Sequence, residues 1–281
     1  MPADRPHPSS APLVDARGFK VPIVGLGTWA LRGRECARLT EQAIRIGYRH
    51  IDTAQMYDNE REVGEGVRAS GLRSEVVVTT KVQPTLLAPH DLERSVKESL
   101  AKLRLDAIDL LLIHWPNPRV PLAETLGAMA KMKKEGYTRQ IGVSNFTVAL
   151  LEEADQVSGE PLVCNQVECH PFLNQDKVIA TSRKFGMAVV AYSPIARGGA
   201  KGNALLESIG KVHKKTGAQV CLRWLVQQGI VVIPRTSRVE RLEENFALFD
   251  FALSDAEMRD IAGLARRGGR IVDWTWSPSW D

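Results

Sequence analysis

No stretch of the 281 residues is long and apolar enough to span a membrane, and no tract is repetitive enough to suggest low complexity. The opening, MPADRPHPSSAP, is polar and proline-rich and lacks the apolar run of a secretory signal, so a cytoplasmic protein is expected. Cysteine is scarce. Cys36, Cys164, Cys169 and Cys221 are too few for a disulfide framework in a chain of this length and suit a reducing compartment. Cys164, Cys169 and His170 put three soft ligands within seven residues, but the spacing fits no structural zinc pattern, and no metal is expected. Charge of one sign is lacking too. The 37 basic and 33 acidic residues are interspersed and leave a net charge of +4, too mild and mixed for a nucleic-acid or membrane surface. Finally, no G-x-G-x-x-G occurs, which argues against a doubly wound dinucleotide fold.

What is present is a recurring unit. Apolar, strand-length runs occur at 23–27 (IVGLG), 49–52 (RHID), 76–80 (VVVTT), 108–113 (IDLLLI), 140–144 (QIGVS), 162–168 (LVCNQVE), 187–193 (MAVVAYS) and 230–233 (IVVI). Between them lie helical spacings, such as Leu92, Val96, Leu100 and Leu103, or Val220, Cys221, Trp224 and Leu225. Strand followed by helix, repeated, implies parallel strands, and runs apolar on both faces imply strands covered on both sides. Eight such units predict an α/β chain forming a single-domain (β/α)8 barrel, a TIM barrel, over residues 1–281. The interval from Ser193 to Ile233 has room for two helices, and Ser254 with Glu257 makes a capping box that starts another. The tail RIVDWTWSPSWD is rich in Trp and without a clear period; it is expected to fold over the active-site mouth, with an ordinary surface strap as the alternative.

In this fold, groups at the C-terminal strand ends converge on one face. Asp52, Lys81 and His114 end strands two, three and four, and Tyr57 lies in the loop after strand two. A tyrosine is a poor acid at neutral pH unless a nearby cation favours its phenolate, which Lys81 can do while Asp52 keeps the lysine charged. His114 can hold a bound oxygen beside the phenol. An acid aimed at oxygen suits carbonyl reduction, where a borrowed hydride reaches carbon as a proton reaches oxygen. Strands five, six and seven end on Ser144 and Asn145, on Gln166, and on Tyr192 and Ser193, which provide amide partners and a flat ring for a nicotinamide. After strand eight, Arg235, Thr236 and Arg241 gather near a helix start and favour a 2′-phosphate, hence NADPH/NADP+.

The ordered set GLGTW, HIDTAQMYDNE, TTK, LIHWP, IGVSNF, NQVECHP and AYSP resembles the aldo-keto reductase family along nearly the whole chain, with short connections like the bacterial 2,5-diketo-D-gluconate reductase-like members. The resemblance implies a barrel that binds NADPH in extended form and a tetrad of Asp52, Tyr57, Lys81 and His114 with Tyr57 as proton donor. It implies that Ser144, Asn145, Gln166 and Tyr192 hold the nicotinamide, and that Arg235, Thr236, Arg241, Glu244 and Asn245 hold the adenosine phosphate. Arg235 and Thr236 replace a more usual Lys-Ser, keeping the charge and the hydroxyl. Trp29 and Trp115 would line a pocket for a small carbonyl substrate, and a monomer is expected.

Taken singly, the four residues have plainer readings: Asp52 as a helix cap, Tyr57 as a packed loop residue, Lys81 as solvent-facing, His114 as a core histidine. Other functions to weigh are a Schiff base at Lys81, disfavoured by its carboxylate partner, and a regulatory protein that binds NADPH with little turnover. A reductase specific for a keto-sugar acid such as 2,5-diketo-D-gluconate is a further alternative.

Overall fold

The computed structural model describes residues 11–281; most of the polar opening used in the leader argument, residues 1–10, lies outside them. A hairpin of β1 (Leu13–Ala16) and β2 (Phe19–Pro22) comes first. Eight strands follow: β3 (Leu26–Gly27), β4 (His50–Asp52), β5 (Val77–Val82), β6 (Ile108–Ile113), β7 (Thr138–Ser144), β8 (Leu162–Glu168), β9 (Ala188–Tyr192) and β10 (Val231–Val232). They pair in chain order and all in parallel. Parallel bridges from Val24 to Val232 and from Gly27 to Arg235 join the last strand to the first, which closes the barrel.

The helices lie between the strands as the spacing predicts: α1 (Gly33–Ile46), α2 (Glu60–Ala69), α3 (Pro89–Leu103), α4 (Leu122–Lys134), α5 (Val148–Val157), α6 (Asp176–Lys184), then α7 (Ala204–His213) and α8 (Gly217–Gln227) in the long interval. After β10 come α9 (Val239–Phe246) and α10 (Asp255–Ala262), the latter opened by the Ser254 and Glu257 capping box. In α3, Leu92, Val96 and Leu103 are fully buried against the barrel wall. Each such leucine contributes about 2 kcal/mol of hydrophobic stabilisation.

Both faces of the strands are buried, and their side chains alternate between two cores. Leu110 and Leu112 of β6 and Ala188 and Val190 of β9 belong to an inner cluster. Leu111 and Ile113, like Val189 and Ala191, pack outward with the helices. The inner cluster is capped at the N-terminal end of the barrel by Ala16 and Val21 of the hairpin. That hairpin is not among the eight strands predicted from the sequence. Its turn has Arg17 and Gly18 both at positive φ (54° and 85°), the geometry of a two-residue type I′ connection.

The departures at β3 and β10 have one cause. Runs of five and four residues were expected to be strands, but the regular ladder covers two residues in each, because these strands meet at the closing seam, where pairing is reduced to isolated bridges.

Candidate active site

Strand parity brings the site together. Side chains two apart point the same way, so inward-facing residues low in the barrel dictate which groups face inward at its mouth. His50 and Thr79, hydrogen-bonded at 3.0 Å inside the barrel, precede Asp52 and Lys81 by two. Leu112 precedes His114, Cys164 precedes Gln166, and Val190 precedes Tyr192 in the same way. Asp52, His114, Gln166 and Tyr192 line one cleft of about 670 Å³, with Tyr57, Ser144, Asn145, Ser193, Trp29 and Trp115. That volume is in the range of cofactor and substrate pockets.

Lys81 lies behind the cleft wall, fully buried, and is not the solvent-facing lysine of the plainer reading. Its Nζ donates to Asp52 Oδ1 at 2.5 Å, to the Thr53 carbonyl at 2.9 Å and to the Tyr57 hydroxyl at 3.4 Å. Asp52 caps no helix; its second oxygen accepts from Gln166 Nε2 at 2.7 Å. Tyr57 ends a short 3₁₀ turn, Gln55–Tyr57, and meets the His114 ring edge-on, with centroids 5.5 Å apart. The turn is held by Asn59, which donates to the carbonyls of Thr28 and Leu31 and accepts from Thr53, tying the loops after β3 and β4 together.

Burial dominates the proton affinities. It pushes the Tyr57 phenol well above its ordinary value, with the Asp52 charge adding to the effect. The hydroxyl therefore keeps its proton at neutral pH. Burial pulls His114 well below the usual histidine value, and Lys81 adds to this, so the imidazole is neutral and can offer one N–H. His114 makes no side-chain hydrogen bond, and its Nδ1 is buried without a partner. Burial also lowers Lys81, against the pull of Asp52.

Along the far wall, Ser144 Oγ donates to the Gln166 carbonyl at 2.8 Å, Asn145 Nδ2 to the His114 carbonyl at 2.9 Å, and the Tyr192 hydroxyl to Asn145 Oδ1 at 2.8 Å. Asn145 and Ser193 both adopt left-handed backbone (φ 63° and 49°). Such strain just past the ends of β7 and β9 is characteristic of ligand-facing positions.

The residues expected to hold a phosphate divide. Arg235 and Arg241 line the cleft, Arg235 with its Nε donating to the Trp29 carbonyl at 3.2 Å. Thr236, Glu244 and Asn245 do not line it: Thr236 Oγ1 accepts from the Arg238 N–H at the start of α9, Asn245 is buried on α9, and Glu244 Oε1 accepts from Thr216 Oγ1 at 2.7 Å. A third guanidinium, Arg197, was not foreseen. It lines the cleft from the loop after β9, 5.0 Å from the Trp29 ring, where the glycines of RGGAKG were the only hint in the sequence.

Trp115 is nearly buried, whereas Trp29 is half exposed. Val272, Trp274 and Trp276 of the tail also line the cleft. Among the described residues, no group of three or more His, Cys, Asp or Glu side chains could hold a metal ion, and His170 pairs with Glu168 at 2.9 Å. All four cysteines are free and buried.

A closed barrel with this cluster at its C-terminal mouth defines a class, and comparison with known proteins identifies it. Residues 23–266 match the aldo/keto reductase family, and the chain belongs to that family. It is 39% identical over 265 residues to methylglyoxal reductase DkgB of Escherichia coli O157:H7, covering 93% of this chain and 99% of the relative. It is 41% identical over 250 residues to a 9,11-endoperoxide prostaglandin H2 reductase of Trypanosoma cruzi, covering 87% and 88%. A solved structure described as a putative 2,5-diketo-D-gluconic acid reductase B superposes with a TM-score of 0.95 at 46% identity, covering 98% of this chain and 99% of that one. The protein is thus an oxidoreductase of a nicotinamide-using family that reduces carbonyl groups. None of its helices is long and apolar enough to cross a membrane among the described residues.

Proposed function

We propose that the protein reduces small aldehydes and ketones to alcohols with NADPH, and that Tyr57 is the proton donor. The observation that carries this reading is the Tyr57 hydroxyl, protonated, on the cleft wall and 3.4 Å from a buried ammonium. Reduced nicotinamide, when bound, supplies a hydride to the carbonyl carbon. Tyr57 then gives its proton to the carbonyl oxygen. Lys81 stabilises the phenolate as it forms, and Asp52 keeps Lys81 charged. The neutral His114 donates a hydrogen bond to the same oxygen and orients it.

The donor set fits the cofactor. Among the described residues Gln166 Oε1 accepts no hydrogen bond, and with Ser144 and Asn145 it offers the complement of a carboxamide, while Tyr192 presents its ring for stacking. The guanidiniums of Arg197, Arg235 and Arg241 meet the phosphates, with Ser193 beside them and Thr236, Glu244 and Asn245 setting α9 in place. Two of the three arginines flank the site after β10, which favours NADPH over NADH.

Trp29, Trp115 and the tail, folded over the mouth, form an aromatic wall around the carbonyl. The relatives named for methylglyoxal and 2,5-diketo-D-gluconic acid support a short dicarbonyl or a keto-sugar acid as substrate, and indole faces stack well on sugars. In this reading the enzyme works as a cytoplasmic monomer, because one chain supplies every group the reaction needs and its thiols are unpaired.

The test is NADPH oxidation with methylglyoxal, a keto-sugar acid and an aromatic aldehyde, wild type beside Tyr57→Phe. Turnover should fall about a hundred- to ten-thousand-fold in the variant with NADPH affinity unchanged. Retained turnover would remove Tyr57 as the acid, and a wild type that binds NADPH without turnover would make the protein a binding protein.

A further inference from the structure

Glu168 ends β8 fully buried, as does His170 just after it, yet neither is among the residues that line the cleft. A buried carboxylate is expensive unless its oxygens are satisfied. Here the partners come from the tail: Glu168 Oε1 accepts from the Ile271 N–H at 2.6 Å, and Oε2 from the Val272 N–H at 2.8 Å. His170 Nε2 donates to Oε1 at 2.9 Å, and because a carboxylate only accepts, this fixes the proton on that ring nitrogen. Arg270, one residue before the anchored pair, supplies compensating positive charge and stacks on Trp280 at 3.6 Å.

The tail residues beyond this anchor build the pocket wall. Val272, Trp274 and Trp276 line the cleft; Trp276 meets Trp115 edge-on at 5.1 Å and Trp280 meets it at 6.0 Å. A second attachment lies at Asp281, whose Oδ2 accepts from the Val148 N–H at the start of α5. Between the two attachments, Trp280 Nε1 donates to Asp273 and the Trp274 N–H to Ser277 Oγ, local bonds that do not tie the segment to the barrel. At its upstream end, the position of the aromatic wall against the barrel therefore depends on the Glu168 contacts.

We propose that Glu168 is a positioning residue that sets substrate selectivity: by anchoring the Ile271 and Val272 amides it places the indoles that contact bulky or aromatic carbonyl substrates. It touches neither the reacting atoms nor the cofactor. The proposal rests on the carbonyl-reductase reading above.

Glu168→Gln keeps the shape but turns one accepting oxygen into a donor facing a backbone N–H. The KM for a bulky aromatic aldehyde should rise roughly tenfold, equivalent to about 1.4 kcal/mol. The kcat, the NADPH Kd and the kcat/KM for methylglyoxal should each change by less than about twofold, because the strand-end groups stay in place and a three-carbon dicarbonyl offers the tail indoles little surface. Acrylamide quenching of Trp fluorescence should increase, since three of the six tryptophans are in the tail. In a Trp276→Ala background, Glu168→Gln should add little further loss toward the aromatic aldehyde, because the wall it positions is already missing.

Gly269→Ala provides an independent route. A Cβ there would sit 1.8 Å from the Phe172 carbonyl, so the tail must shift while Glu168 stays intact, and the same loss of selectivity is expected. Equal losses toward small and bulky substrates, a Glu168→Gln penalty that persists undiminished without Trp276, or unchanged quenching would each overturn the proposal. Absence of turnover toward every carbonyl would refute the reductase reading instead, and the quenching would still decide whether Glu168 anchors the tail.

Discussion

Replacing Lys81 with methionine separates what the buried ion pair does for stability from what it does for the reaction. Lys81 and Asp52 are both essentially inaccessible to solvent, and Lys81 Nζ spans Asp52, the Thr53 carbonyl and Tyr57. Lys81→Met leaves the Asp52 carboxylate buried with Gln166 Nε2 as its remaining side-chain donor. An uncompensated buried charge of this kind costs about 3–5 kcal/mol. A fold stable by about 5–15 kcal/mol survives that loss, so the variant should be soluble and measurable. Adding Asp52→Asn removes the stranded charge while keeping an oxygen for Gln166, and should return at least half of the lost stability. Turnover should not return: without the ammonium, the phenolate that Tyr57 leaves behind is unsupported, and kcat should be down about a hundredfold or more in both variants. Urea unfolding followed by circular dichroism, together with NADPH oxidation, measures the two quantities. A double variant no more stable than Lys81→Met, or a Lys81→Met enzyme with normal kcat, would refute this account of the pair.

The barrel interior also has a pH signature. Burial holds His50 at a pKa of about 4, against an ordinary value of 6.5, so between those pH values the unfolded chain binds a proton that the folded chain refuses. Stability should therefore fall as pH drops through that window, by about 3 kcal/mol from this one group. His50→Gln should lose correspondingly less between neutral pH and pH 4 in urea unfolding, and an unchanged loss would mean that other groups control the acid limb. At the cofactor end, Arg241→Ala should raise the NADPH Kd about ten- to a hundredfold, the worth of a hydrogen bond to a charged group, with little effect on NADH. Equal effects on the two nucleotides would put the 2′-phosphate elsewhere.

The strand-and-helix order was legible because a parallel barrel wrapped by helices buries both faces of its strands. A run such as IDLLLI therefore declares itself without any alternation. The positions of Asp52, Lys81 and His114 were legible for the same reason, since each directly ends a run. What escaped was information carried by non-local pairing. The seam strands shrink to Leu26–Gly27 and Val231–Val232 because the partners that trim them lie about two hundred residues apart. The Glu244 carboxylate accepts from Thr216 Oγ1, a contact no local pattern announces. The surroundings of the Tyr57 hydroxyl were legible only in part: the sequence puts a lysine within reach, but only the packing shows that desolvation and the Asp52 charge raise the proton affinity of the phenol.

These gaps fall in one place, and there is a physical reason for it. Asp52, Lys81, His114 and Gln166 are placed by strand parity, a property of period two that a single backbone register enforces on all eight strands at once. Shifting Lys81 by one residue would turn it out into the helices, so these strand-end positions and the barrel are specified together. The loop and tail that wall the cleft rest instead on a few bonds between side chain and backbone: Arg235 to the Trp29 carbonyl, Glu168 to the amides of Ile271 and Val272. Each of those bonds can be lost or moved without disturbing the register beneath. The same scaffold can thus keep its strand-end groups fixed while the aromatic wall around the cleft changes, so strand-length runs in the sequence point to those groups and not to the wall.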